Sequence, residues 1–135
     1  MVGVDTSALI EFLRATGSPV DRRVDELLDD PSVELCITEV VLMEVLSGAR
    51  SAREVEELTE ELLRFTMLRL DPLQGYQDAA ALYLDARRQG LTIRRMTDCL
   101  IAVPVIRAGA SLLHADADFD RIAQVAPLRI EPVAP

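Results

Sequence analysis

The sequence predicts an α/β protein, a three-layer α/β/α sandwich around a mostly parallel central sheet. Short, largely apolar runs such as Val2-Gly3-Val4 and Ala110-Ser111-Leu112-Leu113 alternate with longer segments that open on helix caps and close on Gly or Pro. Strands buried on both faces read as such runs, and parallel neighbours need helical crossovers between them. Apolar stretches also recur along all 135 residues, half of which are hydrophobic, so the chain reads as one domain spanning residues 1–135.

Taken in order, Val2-Gly3-Val4 is a buried strand ending at Asp5, and Thr6 and Ser7 are cap candidates for a helix from Ala8 to about Arg14. Gly17 stops it. Ser18 caps a second helix that has Pro19 at its first position and runs toward Asp30, where Pro31 closes it. A strand over Glu34–Ile37 leads to Thr38, the cap of a third helix ended by Gly48. The capping box Ser51-Ala52-Arg53-Glu54 introduces a helix through Arg64, followed by a strand between Phe65 and Leu70. Asp71-Pro72 precedes a long helix ending at Gly90, and Thr97 or Asp98 opens another that Gly109 terminates. Pro104 lies inside it, where a kink is expected because the apolar periodicity continues through Val105 and Ile106. A helical piece from Asp118 to Ala126 and an edge strand at Leu128-Arg129-Ile130 complete the pattern.

Composition removes much chemistry. All 14 basic residues are Arg, there is no Lys, and His114 is the only histidine. A P-loop phosphate clamp, a Lys Schiff base and a two-His zinc site are therefore excluded. The net charge of −9 argues against a general nucleic-acid binder, so contacts with phosphate must be local. Cys36 and Cys99 stand far apart in apolar stretches and read as small buried hydrophobes in a reducing compartment. No apolar run suits a membrane span or a signal segment, which places the expected location in the cytoplasm with no membrane partner.

Among 23 acidic residues any one is by default a solvated surface group, so position must single out the exceptions. Asp5 is the only charge between Met1 and Glu11, Glu44 the only one from Val40 to Gly48, and Asp98 the only one between Arg95 and Arg107. Glu44 sits in a helix with Val40, Val41, Leu42, Met43, Val45 and Leu46 around it and has no polar face to join. Asp5 follows a strand, Asp98 opens a helix, and Asp116 and Asp118 follow the strand at Ala110–Leu113. Those are the positions where open α/β sheets form their ligand crevice. Carboxylates gathered there repel one another. A divalent cation relieves that repulsion, and an oxygen-only donor set favours Mg²⁺ or Mn²⁺.

These residues also carry a family resemblance. Asp5-Thr6-Ser7-Ala8-Leu9-Ile10, Met43-Glu44-Val45-Leu46-Ser47-Gly48, Thr97-Asp98-Cys99-Leu100-Ile101-Ala102 and His114-Ala115-Asp116-Ala117-Asp118-Phe119 resemble, in order and spacing, the motifs of PIN-domain toxins of the VapC family. The resemblance spans essentially the whole chain. It implies a PIN-like fold and a ribonuclease cutting a structured RNA such as tRNA or rRNA. It also implies metal ligation, direct or through water, by Asp5, Glu44, Asp98 and Asp116, with Asp118 nearby. Ser7 is implied to hydrogen-bond within the site. His114 departs from the Thr or Ser often found at its place; because the metal site does not require it, it reads as a structural residue or a support for the ligands, with a catalytic role as the alternative. A cognate antitoxin, toxin-antitoxin hetero-oligomers and a homodimer are the implied assemblies. The expected reaction is hydrolysis of an RNA phosphodiester by a metal-activated water.

Arg87, Arg88, Arg94 and Arg95 cluster just before Asp98. They read either as a solvated helix end favourably placed for its dipole, or, for Arg94 and Arg95, as a grip on RNA phosphate, Arg94 first because it lies in a Thr-Ile-Arg segment similar to one in family members. Two rival readings stand beside this one: a Mg-dependent phosphotransfer domain, against which the lack of Lys argues, and a degenerate PIN fold kept only for binding.

Overall fold

The computed structural model describes residues 1–135. In chain order the elements are β1 (Val2–Val4), α1 (Thr6–Leu13), α2 (Pro19–Leu28), β2 (Leu35–Thr38), α3 (Glu39–Ser47) and α4 (Ala52–Leu62). They continue with β3 (Thr66–Leu68), α5 (Gln74–Arg88), α6 (Met96–Arg107), β4 (Ser111–Leu113), α7 (Ala117–Val125) and β5 (Arg129–Ile130). The strands form one sheet in the order β3-β2-β1-β4-β5, and every neighbouring pair is parallel. The sheet is thus wholly parallel, where the sequence alone supported only a mostly parallel one.

The order of strands fixes the layers. From β1 the chain steps outward to β2 and β3, then returns past β1 to β4 and on to β5. Right-handed crossovers then put α1–α4 on one face and α5–α7 on the other. Packing agrees: α1 lies on α2 and α3, α3 on α4, and α5 on α6 and α7. The reversal falls between β1 and β4, so the crevice opens beyond the carboxyl ends of those two strands.

α6 is the most buried helix, with Cys99, Ile101, Ala102, Val103, Pro104 and Val105 all inside. Gly3 makes its approach to the sheet possible, since a Cβ there would stand 3.1 Å from Val105 Cγ2. Pro104 withdraws one helical donor, yet the helix continues unbroken to Arg107. Burial of side chains such as Phe119, Leu9, Ile37 and Ile122 stabilises the sandwich, each contributing roughly 1.5–3 kcal/mol.

The caps are partly as the sequence reads. Ser18, Thr38 and Ser51 each accept a backbone N–H from the third residue on, and Asp71 accepts from Leu73 and Gln74 at the approach to α5. The carboxylate of the capping box reaches one residue further back than expected, with Glu54 accepting from Arg50 N. Three starts differ from the expectation. Asp5, not Thr6 or Ser7, caps α1; α6 begins at Met96 after an uncapped Arg95, not at Thr97 or Asp98; and Asp116 caps α7, which therefore begins at Ala117. In α1 and α7 a carboxylate read as functional also does the capping. At α6 the first-turn Asp98 faces inward and leaves the end without a side-chain cap.

Candidate metal centre

Asp5 stands at the end of β1, where its backbone N–H donates to Leu113 O at 2.9 Å and ties it to the end of β4. Its carboxylate caps α1: Oδ2 accepts from Ser7 N at 3.0 Å and from Ser7 Oγ at 2.6 Å, beside the positive end of the helix dipole. Oδ1 is buried with no partner, and the residue is 2% exposed. Burial raises the Asp5 pKa, and the hydrogen bonds from Ser7 offset only part of that. Ser7 Oγ also accepts from Ala115 N at 2.9 Å, so a single hydroxyl joins the loops after β1 and β4.

Asp98 projects from the first turn of α6 and is 1% exposed, with Oδ2 buried and unpartnered. Burial pushes its pKa up to about 7, the charge of Asp5 adds to the rise, and Arg95 opposes it. Glu44 reaches in from α3, half-buried, and its Oε1 accepts from the Thr6 hydroxyl at 2.8 Å.

Asp116 and Asp118 arrive with α7. Asp116 Oδ1 accepts from Asp118 N at 3.0 Å and Arg94 Nη2 at 2.9 Å, while Oδ2 accepts from Arg95 Nη2 at 3.2 Å. Burial works to raise the Asp116 pKa, but the Asp118 N–H and the two guanidinium groups outweigh it and hold it below the usual value. Asp118 is fully buried; Oδ2 accepts from Arg94 N at 3.1 Å and Nε at 3.3 Å, and Oδ1 from Arg121 Nη1 at 2.5 Å. One carboxylate oxygen each from Asp98, Asp116 and Asp118 fall within 4.8 Å of one another.

The structure therefore brings Asp98, Asp116 and Asp118 into one cluster. Asp5 lies near enough for its charge to raise Asp98, and the charges of both Asp98 and Glu44 act on Arg95. Ser7 bonds the Asp5 carboxylate and Ala115 N. His114 takes no place among the clustered oxygens; it bonds Asp116 N and Asp120. Arg94 and Arg95, read as a phosphate grip, lie folded onto Asp116 and Asp118 with their side chains 67% and 57% exposed. Arg87 and Arg88 remain at the exposed end of α5.

Three participants escape a reading of the sequence. Thr6 looked like a helix cap and instead orients Glu44 across the site. Arg121 pairs with Asp118, and only their three-residue spacing on a helix could have signalled it. Asp120, one acid among many, gave no signal before the fold placed it beside His114.

Buried carboxylate oxygens without donors are costly in a protein that holds nothing against them. Here two of them, Asp5 Oδ1 and Asp98 Oδ2, occur at the sheet's switch point beside further carboxylates. An all-oxygen, multiply charged set of this kind fits a divalent cation, and the fit is to a hard ion.

The profile of the PIN domain family matches residues 2–125. The chain is 40% identical over 129 residues to the VapC ribonuclease Mb1587 of Mycobacterium bovis and to ribonuclease VapC11 of Mycobacterium tuberculosis, covering 96% of either partner in each alignment. Among solved structures, VapBC2 from Rickettsia felis superposes with a TM-score of 0.73 at 17% identity, over 97% of this chain and 98% of that one. VapBC-1 from nontypeable Haemophilus influenzae gives 0.73 at 20% identity, over 97% of both. The structural matches establish the common fold, the sequence matches a nearer kinship, and the chain accordingly belongs to the PIN-domain family and to its VapC branch.

Proposed function

We propose that the protein is an endoribonuclease of the toxin type, dependent on Mg²⁺ or Mn²⁺, that hydrolyses phosphodiester bonds in structured RNA and is neutralised by a cognate antitoxin. The observation that carries this reading is the pair of buried, unpartnered oxygens on Asp5 and Asp98 at the crevice beyond the carboxyl ends of β1 and β4. The relatives named as ribonucleases support the choice of RNA as substrate.

In this reading Asp5, Glu44, Asp98 and Asp116 hold the ion, and Asp118 completes the acidic wall. When bound, the ion supplies Lewis-acid chemistry, lowering the pKa of a water and neutralising charge that builds on the phosphate. Ser7 fixes the Asp5 carboxylate through two hydrogen bonds, and Thr6 aims Glu44. Arg94 and Arg95 are exposed enough to leave Asp116 and turn to RNA phosphate, so that one pair of guanidinium groups serves the carboxylates and the substrate in turn.

The surface supports the partners. A groove between α1, α2 and α4 is lined by Leu9, Phe12, Leu27, Leu62 and Phe65 with Glu34 and Glu61 beside them, which suits an apolar antitoxin segment that also carries Arg. Exposed Met43 and Tyr76 line a second apolar face that supports pairing with another copy of the chain. No helix is long and apolar enough to cross a membrane. A phosphotransfer role remains disfavoured by the absence of Lys, and a binding-only role by the uncompensated carboxylates.

The deciding experiment sequences new RNA 5′ ends after brief induction of the protein and, in parallel, of Asp98→Asn. Discrete new ends in one structured RNA that vanish in the variant are the expected result. Identical 5′ ends in both cultures would overturn the reading.

A further inference from the structure

His114 follows β4 directly, and its side chain is only 8% exposed. Its Nδ1 lies 3.1 Å from the backbone nitrogen of Asp116, which can only donate, so Nδ1 must be the unprotonated nitrogen. The ring proton is then on Nε2, and that nitrogen faces Asp120 Oδ1 at 3.2 Å. The ring packs against Phe119, fully buried, with centroids 5.4 Å apart and planes tilted by 45°. Together with the bond from Ala115 N to Ser7 Oγ, this means that two consecutive N–H groups in the loop before α7 are each met by a side chain.

From this geometry we infer that Asp120 and His114 form a positioning pair: Asp120 holds the imidazole in its Nε2–H tautomer so that Nδ1 can fix the backbone of Asp116, and through it the aim of the Asp116 carboxylate. The inference rests on the reading of Asp116 as a ligand of the candidate metal centre. Neither residue touches substrate or ion. His114 acts on the loop and Asp120 acts on His114, in the manner of the outer carboxylates that orient imidazoles around metal sites. A His kept only to fill space against Phe119 would need no particular tautomer and no partner at Asp120.

The two roles predict opposite rankings of two amide variants. His114→Asn puts an oxygen where Nδ1 stands and can accept the N–H two residues on, as Asn commonly does in turns. His114→Gln puts its amide nitrogen near Nε2 and leaves the Asp116 N–H without an acceptor. A packing role favours the larger Gln; a positioning role favours Asn.

The test has two readouts on the full chain. The first is the ¹⁵N NMR spectrum of the metal-free protein, in which the single histidine gives the only imidazole signals. The wild type should show the Nε2–H tautomer, and Asp120→Ala, a change at an exposed residue, should show a mixture. The second is Mn²⁺ affinity with RNA-cleavage kinetics. His114→Gln should bind Mn²⁺ about 10- to 100-fold more weakly and lose kcat with KM for RNA little changed, while His114→Asn stays within about threefold of wild type. An Nδ1–H tautomer in the wild type, or His114→Gln outperforming His114→Asn, overturns the positioning pair. Wild type that shows the expected tautomer yet binds no Mn²⁺ overturns the metal reading of Asp116 instead, and leaves the pair as the anchor of the loop backbone.

Discussion

The Thr6 hydroxyl donates to Glu44 Oε1 at 2.8 Å, linking the first residue of α1 to the middle of α3 across a separation of 38 residues. The Glu44 carboxylate accepts no other hydrogen bond, so its aim depends on this one. Thr6→Val keeps the shape and removes the donor. Mn²⁺ affinity measured by calorimetry should fall about three- to tenfold, corresponding to the roughly 1 kcal/mol of a single hydrogen bond to a charged or polar partner, with little change in melting temperature. Thr6→Ser should restore it; if Thr6→Val binds as wild type does, Glu44 is held in some other way.

Asp98 gives the metal-free protein a distinctive pH response. Its carboxyl has a pKa of about 7 in the folded chain against an ordinary 3.8, and Asp5 is raised as well. Between about pH 4 and 7 the folded state thus holds a proton that the unfolded state releases, so stability falls as pH rises through that window and levels off above it. Urea unfolding without metal should show the fall. Asp98→Asn should flatten it and be more stable than wild type at pH 8 by about 1–3 kcal/mol, while cleaving no RNA. A stability that rises with pH across this interval would show that Asp98 is charged and compensated.

Divalent ion should reverse the order of those two proteins. Binding to the folded state alone adds stability as RT ln(1 + [L]/Kd), so excess Mg²⁺ or Mn²⁺ should raise the melting temperature of wild type and much less that of Asp5→Asn or Asp98→Asn. Equal shifts in all three would place the ion elsewhere.

Arg94 pairs with two carboxylates while leaving most of its side chain in water, and such exposed pairs are weak. Arg94→Ala should therefore raise Mn²⁺ affinity only modestly, about two- to fivefold, by removing a competing cation. The same variant should raise KM for RNA with kcat little changed, because a phosphate contact made in ground and transition states alike is uniform binding. Tighter metal binding without a change in KM would confine Arg94 to the role of counter-ion.

Arg121 supports the site from behind, as partner of the fully buried Asp118. Arg121→Ala should destabilise the fold by about 1–3 kcal/mol in urea unfolding, since Asp118 then relies on Arg94 alone. Arg121→Met retains the stem without the charge. Recovery of stability in that variant would show that packing, and not the ion pair, is what Arg121 contributes.

The sequence by itself determined the layer architecture, because largely apolar runs alternating with capped helices leave a parallel, doubly covered sheet as the arrangement that buries them. It also singled out Asp5, Glu44 and Asp98 as lone charges in apolar stretches, and Asp5 and Asp98 are buried. What it left open were relations between distant residues. Strand order alone decided that the ends of β1 and β4 are neighbours, and so that Asp5 and the loop through Asp116 share one crevice. The Thr6 partner of Glu44 and the Arg94 contacts of Asp116 and Asp118 were equally out of reach: hydrogen bonds form over about 3 Å in space, and these join residues 22 to 38 apart in the chain. Even Asp120, six residues from His114, depended on the turn of α7 to face the ring. Local pattern specifies which side chains go inside; only the packing of helices on the sheet specifies which of them meet.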